Sequence, residues 1–171
     1  MNKNHFKIHI LSIKALTETT FADDSKEYAI INCSERISQY FSSQRYLLQL
    51  HFIDTEDEDN PKSFSLDDGE KIKSFIASLP NNITDLFVLC DAGESRSTAI
   101  AAAILLFAGR NDEPVWNNPF YHPNPLVFRR LCQAFGIEMT EEQIESKKKQ
   151  NDDAFKNAIK NGTQYKRWEV I

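Results

Sequence analysis

Cys90 and Arg96 stand with five residues between them in the run Val88-Leu89-Cys90-Asp91-Ala92-Gly93-Glu94-Ser95-Arg96-Ser97. Such a pair alone is a weak signal, but its setting gives each residue a chemical use. A loop that wraps into a helix N-terminus aims several backbone N–H groups at one spot, which makes an anion site. The same field stabilises a thiolate, so Cys90 is expected to have a depressed pKa and to act as a nucleophile at neutral pH. Arg96 can bind two phosphoryl oxygens at once through its planar fork. Gly93 lets the loop take positive φ and lets the backbone come close to a ligand. Ser97 is placed to donate a hydrogen bond to the thiolate and help it leave when a covalent intermediate is hydrolysed.

The elements that must position these residues can be read from hydrophobic patterning. Residues 84–89 (TDLFVL) form an apolar strand fit for burial in a parallel sheet. Residues 96–108 are rich in Ala and Leu and predict a helix ended by Gly109. Upstream, residues 6–13, 28–33 and 46–53 read as strands. The last of these runs into 54–59, where five of six residues are acidic, a solvated loop. Residues 65–78 read as a helix opened by an S-x-x-D capping box at Ser65 and Asp68, with Leu66, Ile72, Phe75, Ile76 and Leu79 on one face. Residues 111–121 read as irregular. Asn124 and Pro125 then look like an N-cap and first helical position, and Leu126, Val127, Leu131, Ala134 and Phe135 give that helix an apolar face, ended by Gly136. A second capping box, Thr140 to Gln143, opens a highly charged helix running toward Gly162. Strands alternate with helices, so the expected fold is α/β: a central, mostly parallel sheet flanked by helices, with the Cys–Arg loop between a strand and a helix. The expected organisation is a catalytic domain over residues 1–137 and a charged helical extension over 138–171 packed on the same domain.

Composition bounds the function. The chain has 171 residues, enough for one domain with a core of its own, and 20 Lys plus Arg against 25 Asp plus Glu, a net charge of −5. An acidic balance argues against general nucleic-acid binding and against docking to anionic membranes. The three widely spaced cysteines, Cys33, Cys90 and Cys132, make neither a disulfide framework nor a zinc pattern, and fit a reducing cytoplasm. No signal-peptide pattern opens the sequence, and the longest apolar run, 99–108, is far short of the roughly 20 residues of a membrane span.

The segment 88–97 resembles the Cys-x5-Arg signature loop of the protein tyrosine phosphatase superfamily, and the order of elements is most like that of the compact dual-specificity phosphatases. YAIINCSE (28–35) resembles that family's early strand, YLLQLHFIDT (46–55) the strand leading into its general-acid loop, and HPNPLVFRRLCQAF (122–135) its late Pro-Asn motif and following helix. The resemblance covers about residues 28–136. It implies two-step hydrolysis of phosphate monoesters without metal or organic cofactor: Cys90 attacks phosphorus, Arg96 and the amides of Asp91, Ala92, Gly93, Glu94, Ser95 and Ser97 hold the phosphoryl oxygens, and a loop Asp serves as acid and then base. Asp54 aligns best with that acid because it directly ends the strand. Asp57 and Asp59 are rivals, since the loop to Phe64 is longer than the family's usual one. The family usually has His before the Cys, where this chain has Leu89, which reduces the tuning of the thiolate.

Implied substrates are phosphotyrosine, and phosphoserine or phosphothreonine, in proteins, or a small phosphate monoester. Acidic Asp91 and Glu94, where family members acting on inositol lipids tend to carry basic residues, argue against polyanionic lipids and RNA ends. Two other readings remain open: a pseudophosphatase that binds a phosphorylated partner without turnover, and a sulfurtransferase-like thiol enzyme. Bland roles are expected elsewhere: core packing for Cys33 and Cys132, loop structure and capping for His122 and Asn124, and solvent-facing positions for Arg129 and Arg130, one of which could border the site.

Overall fold

The strand before Cys90 is apolar on both of its faces, so it needs cover above and below, and its place in the sheet supplies it. The structure, a computed structural model, describes residues 7–18, 27–37, 46–163 and 169–170. Its sheet comprises β1 (Lys7–Ser12), β2 (Ala29–Asn32), β3 (Leu47–Gln49), β4 (Asp85–Cys90) and β5 (Glu169–Val170) in the order β3-β2-β4-β1-β5. β4 sits centrally between β2 and β1, and these strands and β3 run parallel; β5 pairs with β1 antiparallel. The fold is α/β, with a mostly parallel sheet and helices around it.

Side-chain alternation along β4 divides the core. Leu86, Val88 and Cys90 join Ile8, Ile10, Ala29 and Ile31 on one face. Phe87 and Leu89 join Leu11 and Ile30 on the other. The first face carries α2 (Leu66–Ser78), α3 (Arg96–Phe107) and α5 (Pro125–Phe135); α4 (Glu113–Trp116) and α6 (Glu141–Lys160) lie outside them. The second face receives the short α1 (Ile13–Glu18), through Ala15 and Leu16. α3 is apolar all round and buried along its length; its alanines let it lie close to both the sheet and α5. Gly109 and Gly136 end α3 and α5 at positive φ, 69° and 76°.

Local signals for α2, α5 and α6 act as expected. Ser65 and Thr140 complete reciprocal capping boxes with Asp68 and Gln143, and the Asn124 side chain accepts the N–H of Val127 ahead of Pro125. α6 turns a narrow stripe inward: Ile144, Asn151 and Ala158, seven residues apart, are buried. Lys147 pairs with buried Asp112 at 2.8 Å, and Asp112 also accepts from the indole N–H of fully buried Trp116.

Four details differ from the sequence reading. The strand expected over 46–53 keeps only Leu47–Gln49, because Phe52 leaves the sheet to meet Phe64 edge-on in the helix-side core. α1 and α4, with six and four residues, are too short to show periodicity. Leu66, placed on the buried face of α2, is 44% exposed, because the helix starts before it reaches the core. Arg129 and Arg130, expected to face solvent, are partly buried and ion-paired to the acidic loop.

Candidate active site

In a parallel sheet, ligands collect beyond the carboxyl ends of the strands. Cys90 is the last residue of β4, at that edge, and the chain turns through 91–95 directly into α3. The turn is tight at Gly93, whose φ is +75°; a Cβ there would stand 2.6 Å from the backbone N of Ser12 and 2.9 Å from the carbonyl carbon of Leu11. No side chain larger than hydrogen fits against β1 at this point. The Gly93 N–H is thereby directed to the Cys90 thiol, with N to Sγ at 3.2 Å. The Ser97 hydroxyl, fully buried, stands 3.1 Å from the same sulfur.

The loop's carbonyls are engaged elsewhere. The Glu94 carbonyl accepts from the His122 N–H and the Thr98 hydroxyl, each at 2.8 Å. The Ser95 carbonyl accepts from the Thr98 hydroxyl at 2.7 Å and the Ala99 N–H at 3.0 Å. Unlike α2, α5 and α6, α3 has no side-chain cap: Ser95, its N-cap residue, spends its hydroxyl on Asp54 instead. The first N–H groups of α3 therefore receive no side-chain cap.

Arg96 is anchored from three directions. Its Nη1 donates to the carbonyls of Cys33 at 2.7 Å and Phe52 at 3.2 Å. Its Nη2 donates to Asp91 at 2.5 Å, and the other oxygen of Asp91 accepts from the Ser34 hydroxyl at 2.6 Å. The Nε, shut off from solvent, is left without a partner among the described residues. Burial works to raise the Asp91 pKa, but the Ser34 and Arg96 hydrogen bonds and the guanidinium charge outweigh it and hold the carboxyl below its ordinary value. Burial likewise opposes the charge on Arg96, and the bond to Asp91 with the nearby Cys90 and Asp91 charges outweighs it, so its pKa lies above the ordinary value. Asp91, read from sequence as a substrate-binding position, is the residue that orients the arginine. The fork foreseen for two phosphoryl oxygens is thus already partly occupied.

Among the three acidic candidates, Asp54 is the one brought against the loop. One of its oxygens accepts from the Ser95 hydroxyl at 2.9 Å and from the Asn124 amide at 2.8 Å. Asp57 and Asp59 are exposed, and the Asp57 carboxylate caps the Asp59 N–H within their own turn. A cleft of about 330 Å³ opens between Phe52, Ile53, Asp54, Asp91 and Arg96, with Glu35 and Arg36 beside it. Cys90, 2% exposed, is not part of its wall. Ala92 is exposed on the loop. Leu89 points to the opposite sheet face, away from Cys90. Cys33 and Cys132 are buried free thiols; burial and the adjacent Cys90 charge push the Cys33 pKa well up. Among the described residues, no group of three or more His, Cys, Asp or Glu could hold a metal ion, and no helix is long and apolar enough to cross a membrane.

Sequence reasoning missed Ser34, Thr98 and the reach of Asn124. Thr98 carried a local signal, a hydroxyl in the first turn of a helix. Ser34 and the Asn124–Asp54 contact, 57 and 70 residues from their partners, carried none.

No protein-family model and no curated protein matches the chain. Two solved structures are similar to it. One is PTPMT1 in complex with PI(5)P, at 17% identity over 92% of this chain and 97% of that one, with a TM-score of 0.46. The other is PTPMT1, at 18% identity over 94% and 98%, with a TM-score of 0.44.

Proposed function

We propose that the chain is a cysteine-dependent phosphate monoester hydrolase of the protein tyrosine phosphatase type. The observation that carries this reading is the convergence on one loop. Cys90 Sγ receives the Gly93 N–H and faces the Ser97 hydroxyl, while Asp54 is tied through Ser95 to the same loop.

The chemistry follows from these placements. The Cys90 thiolate attacks phosphorus, an S–P bond forms, and the ester P–O bond breaks. Asp54, protonated, gives its proton to the leaving oxygen. As a carboxylate it then takes a proton from the water that attacks the phosphocysteine, and the thiolate departs with the Ser97 hydroxyl donating to it. Loop amides and the Arg96 guanidinium stabilise the equatorial oxygens. The substrates we assign are phosphotyrosine first, then phosphoserine and phosphothreonine, in proteins. Asp91 and Glu94 at the loop disfavour densely charged ligands. The free thiols suit a cytoplasmic setting, and residues 138–171 serve as part of the same catalytic unit.

Turnover of an aryl phosphate tests the proposal: the wild type hydrolyses it, and Cys90→Ser and Arg96→Ala do not. Equal rates in all three sink the mechanism. A phosphotyrosine peptide should be preferred over PI(5)P, and the reverse order would overturn the substrate assignment. A second reading, a binding module that holds a phosphate without turnover, is favoured by the burial of Cys90 outside the cleft wall and by Asp91 on Arg96. A single-turnover burst of alcohol product excludes it.

A further inference from the structure

Five carboxylates in six residues should repel one another into open solvent, yet the acidic loop is folded back on itself. The Ile53 N–H donates to the Lys62 carbonyl at 2.9 Å and the Ser63 N–H to the Asn60 carbonyl at 2.9 Å. The first bond joins the two legs of the loop beside Asp54, and the second turns the returning leg. The backbone of the returning leg is gripped by a cation from another element. Arg130, on α5, donates through Nη1 to the Ser63 hydroxyl at 3.0 Å and to the Phe64 carbonyl, and through Nη2 to the Glu58 carbonyl at 3.2 Å. A rigid fork suits three acceptors on one segment; a lysine ammonium does not match that geometry. The outer ion pairs, Arg129 with Glu58 and Glu141 and Lys148 with Glu56, have exposed acidic partners and each contributes little.

We infer that Arg130 is a positioning residue for the acid step. It fixes residues 58–64, and the Lys62–Ile53 bond transmits that hold to the residue next to Asp54. α5 then grips the acid twice, through Asn124 on the Asp54 carboxylate itself and through Arg130 on the far leg of its loop. The acid loop is held closed before substrate arrives. This inference rests on Asp54 being the general acid.

The test uses the full chain with Arg130→Ala and Arg130→Lys, a series of aryl phosphates of differing leaving-group basicity, and amide hydrogen exchange. A displaced acid matters most for poor leaving groups. In the first step, read as the single-turnover rate of alcohol release, Arg130→Ala should therefore lose only about twofold on nitrophenyl phosphate and roughly tenfold or more on phenyl phosphate, a fraction of the full value of a general acid. KM should stay nearly unchanged, and Arg130→Lys should recover part of the loss. Exchange at the Ile53 and Ser63 amides should speed up at least severalfold while β4 stays protected. Should Arg130→Ala fail to fold, Ser63→Ala removes one acceptor and is expected to show the same pattern at smaller size. A loss equal for all leaving groups, or none, overturns the inference while the hydrolase reading stands. A wild type inactive on every ester overturns the hydrolase reading and the catalytic part of this one. Unchanged exchange at Ile53 and Ser63 in Arg130→Ala then overturns the tether as well.

Discussion

Gly93 and Gly109 share nearly the same backbone conformation, φ +75° and +69°, but not the same surroundings: a Cβ on Gly109 meets nothing within 4 Å, while one on Gly93 would stand 2.6 Å from the Ser12 nitrogen. Substituting alanine at each separates conformational strain from close approach. The left-handed conformation costs a non-glycine residue about 1–2 kcal/mol, and the stiffer unfolded chain returns about 0.4–1 kcal/mol. Gly109→Ala should therefore destabilise by about 1 kcal/mol or less, a Tm drop of roughly 2–4 °C for a chain of this size. At Gly93 the obstacle is backbone of β1, which is paired with both β4 and β5 and cannot swing aside like a side chain. Overpacking adds about 1–3 kcal/mol, for a total near 3 kcal/mol and a Tm drop of roughly 6–12 °C. Relief can come only by moving the loop outward, which carries the Gly93 N–H off the Cys90 sulfur. Loss of one such donor costs on the order of a hundredfold in turnover, whereas Gly109→Ala should keep full activity. Thermal unfolding and aryl phosphate kinetics on the two variants provide the measurement. If Gly93→Ala matches Gly109→Ala in both Tm and rate, the close approach of the loop to β1 neither constrains the fold nor shapes the site.

Two more outcomes follow from the site. Ser97→Ala removes the hydroxyl 3.1 Å from the sulfur that helps the thiolate leave, so the second step should slow by about tenfold or more; stopped-flow assays should show a full burst followed by a reduced steady state, and an equal loss in both phases would refute the role. The Asp91 carboxyl is held below its ordinary value of 3.8, so its stabilisation is fully present above about pH 4 and is lost as pH falls through the lower folded value. Asp91→Asn should be less stable at pH 7, by under about 1 kcal/mol because the carboxylate is half exposed. Urea unfolding at pH 7 and pH 3 should show this gap narrowing in acid, and a gap that widens would reverse the assigned sign.

The sequence discloses what local chemistry can encode. A strand apolar on both faces, a glycine in the middle of a loop, three side-chain caps and an alanine-rich helix each state their structure within a few residues, and together they put Cys90 at the end of β4 and Arg96 at the start of α3. Asp54 sits where its strand was expected to end, although that strand leaves the sheet early. What could not be read is how the loop and its acid are held, because the holding groups come from elsewhere in the chain. Ser34 and the carbonyls of Cys33 and Phe52 fix Asp91 and Arg96 from other elements. Asn124 and Arg130 hold the acidic loop from a helix some 70 residues later. A serine after a strand, an N-cap asparagine and an arginine on a helix have ordinary uses where they stand, so their types carry no sign of a distant partner. Only the packing of α5 against α3 and α2, a property of the whole core, brings Asn124 over Asp54 and Arg130 onto the returning leg. The nucleophile, its loop and its arginine are thus local in sequence, Asp54 is marked by the strand that precedes it, and the residues that hold them in register belong to the fold.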